Sequence, residues 1–281
     1  MEAVERADRS AFDPSVPHPA RVYNVWLGGK DHYPADREVA AQVIRQRPEV
    51  VGAAMANRQF LVRVVRYLAR CHGIRQFIDI GTGLPAPDNT HEVAQRADVW
   101  SRVVYVDNDP LVMSHARALL ASSDEGCCDY LQADLRDTGH ILREARRALD
   151  FGQPVAMLLL AVLHFIPDAD DPAGIVAALT DTLAPGSCVA VSHLTADFAP
   201  DAVGGGVKAY NALVPTPVFP RSHAQVTGLF AGLPLVAPGV VPITSWRPDH
   251  AAAADQAADL YGGVARTSAS RWRPRRQAGM V

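Results

Sequence analysis

FIDIGTGLPAPDNTHEVA, residues 77–94, is the stretch of sequence that decides the fold. Its first four residues complete a short apolar run bounded by turn residues, and this pattern predicts the end of a buried strand. Gly81 and Gly83 then let the backbone turn sharply and approach a ligand closely, because glycine has no Cβ atom. Pro85 and Pro87 delay the helix that follows. Strand, glycine loop and helix in this order are typical of a nucleotide-type site at the carboxyl edge of a parallel sheet.

The same alternation continues along the chain. The first strand is predicted over residues 76–80, and four further apolar strands over residues 102–106, 128–133, 155–162 and 188–194. Helices are predicted between them, over residues 89–97, 110–121, 138–149 and 172–183. Strands that alternate with helices indicate an α/β fold, a doubly wound parallel sheet with right-handed crossovers.

The pattern changes after the fifth strand. Two helices are predicted over residues 201–213 and 222–232, and two strands over residues 233–244 and 260–266. These strands would add an antiparallel edge and bring the sheet to seven strands. Gly239 and Pro242 weaken the assignment of residues 233–244.

Composition restricts the class of protein. The 281 residues are 48% hydrophobic and carry a formal net charge of −3, which indicates a globular chain and does not favour nucleic acid as a partner. No apolar run approaches the roughly 20 residues of a membrane helix, and the charged N-terminus does not resemble a secretory signal. The four cysteines form no CxxC motif, and the ten histidines show no metal-ligand spacing. We therefore expect a cytoplasmic protein with no metal site and no membrane partner.

Three acids close consecutive strands. Asp79, Asp107 and Asp134 stand at or near the ends of the first three strands, where ligands bind in open α/β sheets. Asp107 follows the glycine loop at about the spacing of a ribose-binding acid, and Asp134 can accept a hydrogen bond from an adenine amino group. The backbone N–H of Leu135 is then placed for a ring nitrogen. For any one of these acids, capping of a turn or helix is the alternative.

The glycine loop also fits the dinucleotide pattern GxGxxG/A through Gly81, Gly83 and Ala86. That pattern requires the helix to begin inside the motif, so that its N-terminus meets a pyrophosphate. The two prolines prevent this, and the negative charge of Asp79 would repel phosphate. A positively charged sulfonium fits the loop better than a pyrophosphate does.

Two N-terminal features have two interpretations each. The residues from Lys30 to Tyr33 follow a glycine pair, and they form either a ligand loop or a solvated turn. Asn57 and Arg58 lie on a predicted helix that reaches about Cys71. They are surface residues unless they point back at the glycine loop.

The motifs together resemble a known family. DIGTG, VYVDNDP, the acid of QADLRD and LAPGSCVAVSHL resemble the Rossmann-like S-adenosylmethionine-dependent methyltransferases. RVYNVWLGGKDHYPADR, ANRQFLVRVVRYLA, DIGTGLPAPDNTHEVAQ and GVVPITSWRP look like one bacterial family of S-adenosyl methyltransferases that is known mainly by fold and cofactor. The resemblance covers the chain from about Ala20 to Arg266.

The resemblance implies a cofactor, S-adenosyl-L-methionine, and a site for it. The glycine loop would approach the methionine part, Asp107 would hold the ribose, and Asp134 and Leu135 would read the adenine. The implied contacts are Tyr23, Gly28, Asp31, Asp79, Gly81, Thr82, Gly83, Asn89, Thr90, Asp107, Asn108, Asp134, Leu135 and Ala161. Residues 1–72 would form an arm and a helical cap that folds over the cofactor. Residues 73–281 would form the methyltransferase core, and the two parts one compact unit.

Catalytic residues follow less directly. Methyl transfer can proceed by alignment and desolvation, and it needs a base only where the acceptor must lose a proton. His164, after the fourth strand, is the best-placed base, with a structural histidine bonded to loop backbone as the alternative. The weaker candidates are Tyr23, His32, Tyr33, His91 and His193.

The sequence thus predicts a methyltransferase that acts on a small-molecule acceptor. Two alternatives remain open at this point: a NAD-dependent oxidoreductase with the same sheet, and a non-catalytic regulatory protein that binds S-adenosylmethionine. A nucleic-acid methyltransferase is disfavoured, because LHFIPD stands after the fourth strand where an Asn-Pro-Pro-aromatic motif would be expected. The sequence does not predict an oligomeric state.

Overall fold

The computed structural model describes residues 13–119, 125–250 and 258–268. A seven-stranded sheet lies at its centre. The strands are β1 (Gln76–Ile80), β2 (Arg102–Asp107), β3 (Cys127–Gln132), β4 (Ala156–Leu160), β5 (Cys188–Leu194), β6 (Val241–Pro242) and β7 (Leu260–Arg266). Their order across the sheet is β3-β2-β1-β4-β5-β7-β6. The first five strands are parallel, whereas β7 runs antiparallel to β5 and β6 antiparallel to β7. The predicted mostly parallel sheet with an antiparallel edge is confirmed.

Nine helices of the described residues surround the sheet. They are α1 (Pro19–Trp26), α2 (Pro34–Gln46), α3 (Val50–His72), α4 (Thr90–Ala97), α5 (Pro110–Leu119), α6 (Thr138–Ala145), α7 (Pro172–Thr180), α8 (Pro200–Asn211) and α9 (His223–Gly228). Short 3₁₀ turns add Leu163–Phe165, Asp168–Asp170 and Ile243–Ser245. None of these helices is long and apolar enough to cross a membrane.

The central strands are apolar because helices cover both faces of the sheet. Every residue of β1 and β4 is buried, as expected for parallel strands between two helical layers. On one face, α3 packs its apolar stripe, which includes Phe60, Val64 and Leu68, against the sheet. The edge of the Phe60 ring meets Trp246 at a centroid distance of 5.5 Å. This packing fixes α3 against the sheet.

A second, smaller apolar cluster lies at that carboxyl edge. Val22 of α1, Val43 of α2 and Tyr210 of α8 are buried in it together with Val218. We call α1, α2 and α8 the cap. Because α8 follows β5 in sequence, the cap combines the N-terminal helices with a helix of the core.

Two predicted elements of the C-terminal part are shorter than the sequence suggested. The strand predicted over 233–244 is wrong over most of its length, since only Val241–Pro242 pairs as a strand and Leu235 adds a single bridge. Prolines lack the N–H that a ladder needs, and Gly239 has a φ of +89°. The helix predicted over 222–232 ends at Gly228. Positive φ angles at residues 231 and 232 are incompatible with its continuation.

Residues 1–12 of the predicted N-terminal arm lie outside the described residues. Within the described part of that arm, α1 begins at Pro19, after His18 caps it by accepting from the N–H of Ala20.

Candidate cofactor and acceptor site

The glycine loop after β1 is held against the neighbouring strand. Gly81 has a φ of +73°, and its N–H donates to the carbonyl of Val106 at 2.8 Å. A Cβ atom at Gly81 would lie 2.5 Å from Cγ2 of Val162, closer than carbon atoms can approach. Gly83 also has a positive φ, of +67°, but no atom would lie within 4 Å of its Cβ. Position 81 therefore requires glycine for two reasons, its positive φ and the lack of space for a Cβ atom. Position 83 requires it only for its positive φ.

Asp107 closes β2 directly beside this loop. Its Oδ2 accepts from the N–H of Gly83 at 2.9 Å, and its Oδ1 accepts from the N–H of Asp109 at 3.0 Å. The side chain is buried, and burial raises the pKa of this carboxyl despite the two hydrogen bonds. The described residues place no Lys, Arg or His nitrogen within 4 Å of Asp107. Asp107 is thus a buried carboxylate without a direct ion pair among the described residues, and the nearby His18 partly opposes the rise of its pKa.

Asp79 is the second buried acid of this edge. Its Oδ2 accepts from the hydroxyl of Thr90 at 2.6 Å. Burial raises the pKa of Asp79, and the nearby positive charge of Arg58 opposes the shift. Arg58 itself donates to the carbonyls of Pro87 and Asp88 at 3.0 Å each. It therefore points back at the glycine loop, which is the functional alternative stated for it above.

Asn57 links the cap to the sheet through a chain of hydrogen bonds. The N–H of Ala161 donates to Oγ of Ser192 at 2.9 Å, and that hydroxyl donates to Oδ1 of Asn57 at 2.6 Å. Nδ2 of Asn57 donates to the hydroxyl of Tyr23 at 3.2 Å. The Tyr23 hydroxyl donates to the carbonyl of Ala54 at 2.9 Å. The chain joins the ends of β4 and β5 to α3 and α1.

A cavity of about 270 Å³ lies between this carboxyl edge and the cap. Most of the residues predicted from sequence line it. They are Tyr23, Asp79, Gly81, Thr82, Gly83, Asp107, Asn108, Asp134, Leu135, Ala161 and His164. The structure thus brings together residues at the ends of the first three strands with one residue of α1 and two residues that follow β4.

Four predicted contacts do not line the cavity: Gly28, Asp31, Asn89 and Thr90. Gly28 lies in the turn after α1 with a φ of +72°, and the N–H of Asp31 donates to Oδ1 of Asn24 at 3.1 Å. Asn89 caps α4 and accepts from the N–H of Ala86 at 3.2 Å. Thr90 reaches the cavity only through its bond to Asp79. These residues build the turns around the cavity.

The weaker candidates also have structural contacts. Nε2 of His32 lies 3.1 Å from the carbonyl of Gly29, and Tyr33 caps α2. His91 is buried, with Nδ1 at 2.7 Å from the hydroxyl of Tyr105. None of His32, Tyr33 and His91 lines the cavity. The described residues contain no cluster of metal-ligating side chains.

Asp134 differs from the two buried acids. Its Oδ2 pairs with Nη1 of Arg136 at 3.0 Å, and 43% of its side chain is exposed. Its Oδ1 accepts from the N–H of Arg136 at 2.8 Å. Leu135 between them is 6% exposed and lines the cavity. This third loop forms an outer wall of the site.

His164 lies in the 3₁₀ turn after β4. Its Nδ1 accepts from the N–H of Leu194 at 3.4 Å, and its carbonyl accepts from the N–H of Phe219 at 2.8 Å. Burial lowers the pKa of His164 well below its usual value, and the nearby His193 and Arg221 lower it further. The ring is therefore neutral and bonded to backbone, as the structural alternative predicted, and it also lines the cavity.

Arg221 is a buried residue that no sequence motif indicates. Its buried guanidinium donates to the carbonyls of Leu163 and Ile166, to Oδ1 of Asp168 and to Nε2 of His193. It therefore clamps the turn that carries His164 to the end of β5. A single arginine in a proline-rich stretch has no local signature, because its partners lie about 30 to 60 residues away.

The half of the cavity under the cap is mainly apolar. Trp26, Val43, Phe165, Val207 and Val218 line it. Two further groups there also went unpredicted. One is a two-pronged ion pair from Arg47 to Asp259, at 2.9 and 3.0 Å. The other is Tyr210, whose buried hydroxyl has no hydrogen-bond partner among the described residues.

The fold and the site define a class. A doubly wound sheet whose carboxyl edge carries a glycine loop and a buried acid at the end of β2 is a Rossmann-like architecture. The plantazolicin methyltransferase BpumL, solved with S-adenosylhomocysteine, shares the fold with a TM-score of 0.51 at 11% identity, over 88% of this chain and 95% of that one.

The comparisons also show the family. The sequence profile of the S-adenosyl methyltransferase family matches residues 5–268, so the chain belongs to that family. A protein of the DUF574 family from Streptomyces avermitilis is 45% identical over 91% of this chain and 99% of its own, with a TM-score of 0.87. A proposed methyltransferase from Thermobifida fusca is 38% identical over 91% and 96%, with a TM-score of 0.83. No curated protein matches. The protein is therefore a methyltransferase with S-adenosylmethionine as its cofactor, and the nicotinamide alternative is wrong.

Proposed function

We propose that this methyltransferase acts on a small, largely apolar acceptor bound under the cap. One observation carries the proposal. The same cavity is lined at one end by the glycine loop with Asp107, and at the other by apolar side chains of the cap. A cofactor in the first half and an acceptor in the second would meet inside the protein, away from water.

The residues of the carboxyl edge fit the cofactor. An ionised carboxylate has about four lone-pair sites, and Asp107 uses two of them for backbone N–H groups. Two remain for the two hydroxyls of a ribose. A Cβ atom at position 81 would overlap the side chain of Val162, so the loop that would approach the methionine part keeps its shape only while this residue is glycine. Asp134 and Leu135 would hold the adenine in the outer loop.

The remaining predicted residues have smaller parts in this proposal. Thr82, Asn108 and Ala161 line the cavity and would complete the cofactor contacts. Asn89 and Thr90 would act indirectly, by fixing the glycine loop and Asp79. Gly28 and Asp31 would shape the turn that ends α1. The cap and the sheet would move as one unit, since the hydrogen bonds through Asn57 join them.

The reaction needs alignment more than proton transfer. When bound, S-adenosylmethionine supplies a methyl carbon activated by the sulfonium, to which the acceptor adds its lone pair while the carbon–sulfur bonding pair stays on sulfur. The chain's own residues hold both molecules in line and exclude water from the space between them. The buried charges of Asp79 and Asp107 favour a cationic ligand at this edge over an anionic one.

Binding and transfer can be tested separately. Calorimetry with S-adenosylmethionine and with NAD should show binding of the first only, and a Leu135→Asp variant should bind it more weakly. Transfer is then followed with S-adenosylmethionine labelled in its methyl group, using the small-molecule, nucleic-acid and protein fractions of a bacterial extract. We expect label in the small-molecule fraction. Label only in nucleic acid or protein would contradict the proposed acceptor, and binding without any transfer would favour the regulatory alternative.

A further inference from the structure

His164 lies in the 3₁₀ turn that follows β4, at the carboxyl edge of the sheet. It lines the cavity although only 9% of the residue is exposed. The ring of Phe165 meets it edge-on at 4.5 Å, and the ring of His193 at 5.6 Å. Packing against Phe165 and His193 restricts the His164 ring to one orientation. Any polar atom that it presents to the cavity is therefore a fixed feature of the site.

The hydrogen bonds determine which ring nitrogen carries the proton. A neutral imidazole has one donor and one acceptor nitrogen. Because Nδ1 of His164 accepts from the N–H of Leu194, the proton is on Nε2. Nε2 has no hydrogen-bond partner among the described residues. His164, a residue of the cavity wall, thus carries a ring donor without a partner among the described residues and has no free ring acceptor.

A neighbouring network keeps this arrangement in place. Nε2 of His193 accepts from Arg221 at 2.8 Å, so its proton is on Nδ1, which donates to the carbonyl of Leu194 at 2.8 Å. The N–H of Arg221 also donates to that carbonyl, at 3.0 Å. The two histidines therefore hold opposite tautomers on the two backbone groups of Leu194. If the proton of His164 moved to Nδ1, it would face the backbone N–H of Leu194, and two donors would repel each other.

We propose that His164 donates its Nε2–H to an oxygen atom of the methyl acceptor and does not act as the base that deprotonates it. This inference rests on the proposed function. It replaces the catalytic-base hypothesis for His164 with a role in orienting and selecting the acceptor.

The geometry also restricts which atom of the acceptor is bound. The reacting atom of the acceptor gives up electron density to the methyl carbon during transfer. A hydrogen bond donated to that atom would therefore be stronger in the ground state than in the transition state, and it would slow the reaction. The oxygen that meets His164 is therefore a neighbour of the reacting atom. Because the cap lines its half of the cavity with apolar side chains, we expect a mainly apolar acceptor. It would carry an oxygen atom next to the reacting atom, and the reacting atom would already be deprotonated at neutral pH.

The first experiment determines the tautomer without any acceptor. Protein labelled with ¹⁵N in its histidines is examined by NMR as the S-adenosylhomocysteine complex, and the His164 signals are assigned by their loss in His164→Gln. We expect a neutral ring with the proton on Nε2. A proton on Nδ1, or a charged ring at neutral pH, would overturn the inference.

The second experiment measures the donor with two probes of the same shape. Indanone and indane differ in one carbonyl oxygen, and their affinities for the S-adenosylhomocysteine complex are compared by NMR titration. The wild type should prefer indanone by roughly two- to tenfold, the range of one hydrogen bond. His164→Phe should lose the preference. His164→Gln should retain part of it, because its amide can donate from a similar position.

The controls separate this inference from the proposed function. His140 lies on α6 outside the cavity, so His140→Phe should leave the preference unchanged. Equal affinities for the two probes in the wild type, or no binding of either, would overturn the donor assignment. Failure of S-adenosylhomocysteine to bind would instead contradict the proposed function.

Discussion

The two ends of the cavity are built in different ways. At the carboxyl edge of the sheet, polar groups come from short loops directly after strands, and Asp107 and Asp79 are bonded to groups of those same loops. Under the cap, the lining comes from helices far apart in sequence and is mainly apolar, with the hydroxyl of Tyr210 left without a partner among the described residues. The carboxyl-edge end, the proposed cofactor end, is thus fixed by local chain geometry, and the cap end, the proposed acceptor end, by long-range packing. Substitutions should affect the two ends differently.

Gly81→Ala should remove the cofactor end most completely. A positive φ costs an alanine about 1–2 kcal/mol, and the overlap with Val162 adds about 1–3 kcal/mol, so unfolding should become easier by about 2–5 kcal/mol. Chemical denaturation measures this, and calorimetry should show a parallel loss of cofactor affinity.

Gly83→Ala is the matched control for that prediction. It has a similar φ but open space at Cβ, so only the cost of about 1–2 kcal/mol applies. Val162→Ala combined with Gly81→Ala should restore part of the stability. Equal losses for the two glycine variants would show that crowding at Val162 plays no part.

Asp107→Ala should weaken S-adenosylmethionine binding by about 1–3 kcal/mol, the scale of hydrogen bonds to a charged group. Asp134→Ala should cost less than about 1 kcal/mol, because that acid is half exposed and already paired with Arg136. Calorimetry at neutral pH compares the two variants. Similar losses would contradict the assignment of the ribose to Asp107.

The raised pKa of Asp107 adds a pH dependence to the same experiment. Acidification should weaken binding at a higher pH than for an ordinary Asp, because the protonated carboxyl accepts fewer hydrogen bonds. For stability the sign is opposite. The folded state holds this proton more tightly than the unfolded chain does, so the stabilisation is present below the ordinary Asp pKa. It is lost as the pH rises through the raised value.

Removing a hydroxyl should have opposite effects on two tyrosines. Tyr210→Phe should stabilise the protein by up to about 1 kcal/mol, because it removes a buried group that has no partner among the described residues. Tyr23→Phe should destabilise it by about 1–2 kcal/mol, since that hydroxyl both donates and accepts. Denaturation of the two variants gives the sign directly. A loss of stability in Tyr210→Phe would show that its hydroxyl is bonded in solution.

The grouping of residues at the carboxyl edge could be predicted from sequence because it is local. Gly81, Gly83 and Asp107 lie within one strand–loop–helix–strand unit, where spacing and residue type indicate position. The strands β1 and β5 were predicted with their observed ends for the same reason. In the antiparallel edge, β7 was also predicted with its observed ends, whereas β6 is much shorter than predicted because prolines and the positive φ of Gly239 interrupt it.

The acceptor end could not be predicted in the same way. Arg221 and the pair of Arg47 with Asp259 gain their roles from partners up to 212 residues away, which no local pattern encodes. His164 was selected from its place after β4, but the state of its ring depends on Leu194, a backbone group of another strand. Long-range contacts of this kind appear only once the chain is folded.

The hydrogen-bond chain through Asn57 has a direction that its two backbone ends impose. It begins at the amide of Ala161, which can only give a proton, and finishes at the carbonyl of Ala54, which can only receive one. Each group between these two ends therefore donates in the same direction along the chain. The phenolic proton of Tyr23 is donated to the carbonyl of Ala54. Tyr23 can therefore contact a ligand in the cavity only as a hydrogen-bond acceptor or through the face of its ring.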